Sequence, residues 1–147
     1  MKPINEMRLR IESRSVNEAF ARAAVAAFVS QLDPTLEEIS DIKTAVSEAV
    51  TNCIVHAYAD SVGQIYIWAG LYEDGGVRIK IRYTGCGIED VKKAMEPLYT
   101  TLGEERAGLG FAVMESFCDR LGVRSAPGKG TTVTLTKYIK GRNGGDD

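Results

Sequence analysis

Residues 64 to 83, QIYIWAGLYEDGGVRIKIRY, restrict the possible folds more than any other stretch of the chain. Ile65, Ile67, Ala69 and Leu71 recur at every second position, and after EDGG the pattern resumes at Val77, Ile79 and Ile81. A period of two sets each apolar series on one face of an extended strand. Two such strands joined by a short glycine-bearing turn read as an antiparallel hairpin. The same alternation places Tyr83 on the inner face, and Arg78, Lys80 and Arg82 on the outer one. A sheet with one apolar face must be covered, and the rest of the chain has to supply the cover.

Met7, Leu9 and Ile11 alternate with charged residues and predict another half-buried strand. Ser15 and Glu18 have the spacing of a capping box. The helix they open is expected to bury Val16, Phe20, Ala23, Ala27 and Phe28, and to stop before Asp33-Pro34. Thr35 and Glu38 form a second box, opening a helix that runs to about Tyr58. From Gly85 to Gly108 the periodicity is lost. A short helix near Val91 to Met95 fits there, and the rest reads as a functional lid. A helix from Leu109 to about Arg120 is predicted, with Phe111, Val113, Met114 and Phe117 available for burial. Gly122 to Ser125, PGKG and Thr132 to Thr136 make a final hairpin. The expected class is α+β: a two-layer α/β sandwich, its sheet mixed but mostly antiparallel, with helices on one face. Residues 1–140 are expected to form a single domain and 141–147 a disordered tail.

A chain of 147 residues, 44% hydrophobic and 26% charged, is sized for one soluble domain. The net charge is −2 and the basic residues look scattered along the chain, which argues against direct nucleic-acid binding. No apolar run approaches the roughly 20 residues that span a bilayer, and the start, MKPINEMRLRIES, is too charged for a signal peptide. Cys53, Cys86 and Cys118 are odd in number and widely spaced. That opposes zinc or disulfides and fits buried or half-buried thiols in a reducing cytoplasm. His56 is the only histidine and reads as structural.

Chemistry first shows in SEAVTNCIVHAY. Glu48, Asn52 and His56 lie four apart and make one stripe along the second helix. That stripe runs beside the apolar arc of Ile42, Ala45, Val46, Ala49, Val50 and Cys53, where a cleft would open. An amide oxygen is a hard ligand suited to Mg²⁺, and a carboxylate one turn earlier can take a proton. A solvated polar edge gives the same spacing. TGCGI supplies Gly85 and Gly87 after a strand. RAGLGFAVMESF places Gly108 and Gly110 directly before a helix, whose first N–H groups would bind an anion, with Arg106 just upstream.

In order, these boxes make the chain resemble the ATPase domain shared by gyrase, histidine kinases and MutL, the GHKL family with its Bergerat fold. SEAVTNCIVHA looks like the first box, TGCGI the second and GLGF the third, and within the family the chain is most similar to the sporulation anti-sigma kinases. The likeness covers about residues 5 to 138. It implies ATP or ADP and Mg²⁺ as cofactors, Glu48 as general base and Asn52 as the metal ligand. Gly85, Gly87, Gly108 and Gly110, with Leu109 between the last two, would shape the phosphate pocket. Thr100, Thr101 and GEERAG, including Arg106, would form the lid, and Thr131 and Thr132 the adenine end. Transfer of the γ-phosphoryl group to a serine of an anti-anti-sigma protein is implied, as is sequestration of sigma F by a homodimer, with Arg22 on the partner face. The family pattern D-x-G-x-G departs here at one position. Tyr83 stands where an aspartate accepts from the adenine amine. Losing a charged hydrogen bond of that kind costs roughly 1.5–3 kcal/mol, or about 10- to 150-fold in affinity. A sigma-binding module of the same shape without useful catalysis is therefore the alternative expectation.

Overall fold

The computed structural model describes residues 1–57, 61–84, 102–126 and 130–142, without the side chains of 56, 57, 102–109 and 126. The first strand, β1 (Asn5–Glu12), leads to α1 (Val16–Val29), a 3₁₀ turn (Ser30–Leu32) and α2 (Leu36–Asn52). A π-helical turn (Cys53–Ala57) extends α2 before the hairpin of β2 (Gln64–Leu71) and β3 (Gly76–Tyr83). Then come α3 (Leu102–Phe117), β4 (Arg120–Ala126) and β5 (Gly130–Tyr138). The five strands form one sheet in the order β1-β2-β3-β5-β4. Every neighbouring pair is antiparallel, so among the described strands the sheet is not mixed.

The hairpin pairs as its alternation predicts: Ile67 lies opposite Ile81, and Leu71 opposite Val77. Ile65, Ile67, Ala69, Leu71, Val77, Ile79 and Ile81 are all buried, and they pack with Val133 and Leu135 of β5 under the helices. At about 25 cal/mol per Å², this inner face is the main force holding the two layers together. From α2, Ile42, Ala45, Val46, Ala49, Val50 and Cys53 enter the same core, the arc read from the sequence.

Two expectations about α1 are corrected. Its buried face is Ala21, Val25, Ala26 and Val29, with Phe28 half-buried, while Val16, Phe20, Ala23 and Ala27 are exposed. The helix is apolar almost all round, so its periodicity selects no face. The small side chains allow close packing on α2, and the bulky Phe20 stays outside. Ser15 makes no capping bond. Glu18 instead accepts the Ser47 hydroxyl of α2 and lies 3.8 Å from the Arg22 guanidinium. A carboxylate drawn across to a neighbouring helix cannot reach back to its own N-cap.

The second box forms in full. Thr35 Oγ1 accepts from the Glu38 N–H at 3.1 Å, and Glu38 Oε1 accepts from the Thr35 N–H at 2.9 Å. Glu38 also accepts from the backbone N–H of Lys140 at 2.7 Å and of Gly141 at 3.1 Å, tying the chain after β5 to the start of α2. Burial raises its pKa, but the Thr35, Lys140 and Gly141 N–H bonds and the Thr35 side chain outweigh that and leave it lowered. The last hairpin is longer than predicted, beginning at Arg120 and ending at Tyr138.

The third helix is a further correction. It begins at Leu102, not Leu109, and takes in the GEERAG segment expected to belong to a lid. Leu102, Glu104, Glu105, Arg106 and Ala107 are good helix formers, and acidic residues suit the first turn. The expected helix near 91–95, the rest of the lid and the tail beyond 142 lie outside the described residues. No described helix is long and apolar enough to cross a membrane.

Candidate functional site

The end of α2 positions the site. Asn52 closes its last α-helical turn, where the ladder widens into the π-helical turn, a local change that often marks functional positions. Its side chain is 4% exposed, and Nδ2 has no hydrogen-bond partner among the described residues. Such an orphan costs about 1–3 kcal/mol, so the structure holds an unmet polar group here. Gly110 of α3 lies against that amide. A Cβ at Gly110 would sit 2.7 Å from Nδ2 and 2.8 Å from Oδ1. Only glycine lets the third helix come this close to the amide.

Gly108 and Gly110 therefore do not precede a helix. They lie well inside α3, and their N–H groups are not the free ones of a helix start. Arg106 and Leu109 are helical in backbone, and their side chains lie outside the description. Gly85, Gly87, Thr100 and Thr101 lie outside the described residues altogether, as does Cys86.

Glu48, one turn before Asn52 on the same stripe, is half-buried. It borders a groove of about 710 Å³ between α1 and α2, which Arg22, Lys43 and Ser47 also line. No sequence pattern joins Glu48 to Arg22; packing of α1 on α2 puts both on one groove. Glu18, which accepts from Ser47 and lies 3.8 Å from Arg22, joins α1 to α2 beside this groove, a contact that the capping-box reading hid.

Tyr83 ends β3 with its side chain inward, 4% exposed, opposite Ile65 and Thr131. Thr131 is 3% exposed, and its hydroxyl lies 2.6 Å from that of Ser125. Gly130 has φ of +90°, and a Cβ there would strike the carbonyl oxygen of Tyr83, so the start of β5 is pressed against the end of β3. Thr132 is not in this group. It faces the other side of the sheet, opposite Arg82 and Arg124, as strand alternation requires of neighbours.

The described thiols are buried to the extent expected. Cys53 is fully buried, and burial pushes its thiol pKa far up; Cys118 is half-buried and raised by burial and then by Asp119. No group of three or more His, Cys, Asp or Glu suited to a metal occurs among the described residues. An ion bound here would lean on the Asn52 amide and on phosphate oxygens and water, which is how Mg²⁺ is commonly held. Oδ1 is the Asn52 atom that could hold such an ion, while the orphaned Nδ2 is a donor and would face an acceptor such as a phosphate oxygen.

The histidine kinase-like ATPase domain family matches residues 11–137. An anti-sigma F factor of Caldanaerobacter subterraneus subsp. tengcongensis is 61% identical over 140 residues, covering 95% of this chain and 96% of that protein. One from Geobacillus kaustophilus is 52% identical over 136 residues, covering 92% and 93%. Among solved structures, the RsbU and RsbW domains of a Mycobacterium tuberculosis protein superpose with a TM-score of 0.68 at 24% identity, over 93% of this chain and 33% of that one. A blue-light activated histidine kinase of Erythrobacter litoralis superposes with a TM-score of 0.57 at 19% identity, over 80% and 40%.

Proposed function

Because the chain belongs to the anti-sigma F factors, within the histidine kinase-like ATPase family, we propose that it holds sigma F inactive and uses Mg-ATP to phosphorylate a serine of an anti-anti-sigma partner. The observation that carries this reading is the buried Asn52 amide, packed on Gly110 one turn from Glu48, whose donor Nδ2 has no partner among the described residues. A buried polar group without a partner is expected where a ligand supplies the partner.

In the proposed reaction Glu48 takes the proton of the acceptor hydroxyl. The serine oxygen bonds to the γ-phosphorus, the bridge to the β-phosphate breaks, and ADP leaves. Asn52 Oδ1 would hold the magnesium ion, which when bound offsets charge on the transferred phosphoryl group. Gly110 keeps α3 against the amide, and Gly85, Gly87, Gly108 and Leu109 are assigned to the phosphate pocket. Thr100 and Thr101 are assigned to its closing segment, Arg106 of α3 to the phosphates, and Thr131 to the adenine end. The groove shared by Glu48 and Arg22 supports entry of the protein substrate from the α1 side. We assign the chain to the cytoplasm and to a homodimer.

Tyr83 favours a second reading, a sigma-binding module with weak nucleotide binding. Its ring is buried on the side of the sheet where the adenine-recognising carboxylate would stand. Incubation with labelled ATP and the anti-anti-sigma partner separates the two. Label on the partner's serine, lost in Glu48→Gln, supports the kinase; sigma binding with no transfer even in Tyr83→Asp removes it.

A further inference from the structure

The sheet face turned away from the helices carries a second array, independent of the kinase reading. Arg8 and Arg10 stand on it from β1, and Arg78, Lys80 and Arg82 from β3, all exposed. Arg120 and Arg124 of β4 continue it across β5. The outward carboxylates of these strands are Glu6 and Glu12. Seven cations less two carboxylates leave +5 on this face, so the remainder of the chain carries −7 of the total −2. The fold gathers basic residues that look scattered in the sequence.

Among the described residues, most of these cations lack an acidic partner. Glu6 accepts from Trp68 Nε1 at 2.8 Å and lies 3.5 Å from Arg8, and Glu12 is held by Arg14 at 3.0 Å. The other six cations make no ion pair among the described residues. Tyr66 and Trp68 of β2 stand between the β1 and β3 columns, Trp68 opposite Arg8 and Lys80, Tyr66 opposite Arg10 and Arg82. Arg82 lies 4.3 Å above the Tyr66 ring and Lys80 5.5 Å above that of Trp68. Together they border a hollow of about 430 Å³.

We infer that this face docks an acidic, extended segment of a protein partner. Outward residues of one strand repeat about every 6.5–7 Å, the spacing at which an extended Asp- or Glu-rich peptide presents carboxylates to one side. A guanidinium stacked on a ring keeps its N–H fork free for a carboxylate and loses little entropy in binding it. Arg, Trp and Tyr are also the residues that concentrate energy at protein interfaces. A nucleic-acid strand fits less well, because base stacking needs the ring faces that Arg82 and Lys80 already occupy. A long polyanion would also meet the net negative charge of the rest of the chain. A second copy would set like charge against like.

The test uses the full chain with a labelled oligoglutamate peptide and, in parallel, a single-stranded oligothymidylate of equal charge. The peptide is expected to bind with an affinity that falls with salt. Joint Lys80→Glu and Arg82→Glu substitution should weaken it by about tenfold or more. Arg142→Glu, away from the sheet face, should change it by no more than about twofold. If the double variant melts early, Arg8→Glu on β1 reads the same face. Tighter binding of the oligonucleotide, no binding of the peptide, an equal loss in Arg142→Glu, or a dimer that dissociates on Lys80→Glu and Arg82→Glu substitution would each overturn the proposal.

Discussion

Asn52 carries two opposed demands at the residue scale. As a structural element it is poor, with low helix propensity and a buried Nδ2 that has no partner among the described residues. Replacing it with alanine removes a desolvation cost of about 1–3 kcal/mol and loses some packing, so the two nearly cancel. Urea denaturation should find Asn52→Ala within about 1 kcal/mol of wild type, or more stable, while phosphate transfer is lost. A loss of 3 kcal/mol or more would make the residue a core support instead. Tyr83 is the other decisive residue. Tyr83→Asp should tighten Mg-ATP binding by about 10- to 150-fold, measured by calorimetry; unchanged affinity would clear the tyrosine of blame. Glu48→Gln should slow transfer by about 10²- to 10⁴-fold with nucleotide affinity intact, and equal turnover would remove Glu48 from the mechanism.

Helix ends and helix faces decide the element scale. Gly110→Ala would push a methyl group into the Asn52 amide, costing roughly 1–3 kcal/mol by overpacking and shifting α3. A thermal melt and a nucleotide titration should therefore worsen together in that variant; a normal melt and titration would mean that α3 need not touch Asn52. Glu38 links the cap of α2 to residues 140 and 141. Its lowered pKa means that the stabilisation is fully present above the unfolded-state carboxyl value. It is lost as pH falls through the folded one. Glu38→Gln should cost roughly 1–2 kcal/mol near neutrality, and the gap from wild type should close in acid. A gap independent of pH would mean that charge has no part in the cap. This box was legible in the sequence because both partners are local. The box at Ser15 was not, because Ser47 competes for Glu18 from a separate helix. The start of α3 was missed because two glycines suggest a turn, whereas Gly110 serves a contact with a residue 58 positions earlier.

Over the whole molecule, period-two and four-residue patterns revealed the layers, the hairpins and the inner face of α2. They failed where partners are distant. The apolar α1 offered no face to choose, and strand alternation had already implied that Thr131 and Thr132 part company. The joining of Glu48 to Arg22 and the basic outer face appear only when elements pack. A homodimer predicts a sedimenting mass twice the 16.0 kDa of the chain. The measurement closest to the central claim is ADP affinity with and without Mg²⁺, for the chain and for Asn52→Ala, each also carrying Tyr83→Asp. Tightening by Mg²⁺ that disappears in Asn52→Ala is the predicted result. Tightening of equal size with and without the amide, or nucleotide binding absent from every variant, would contradict it.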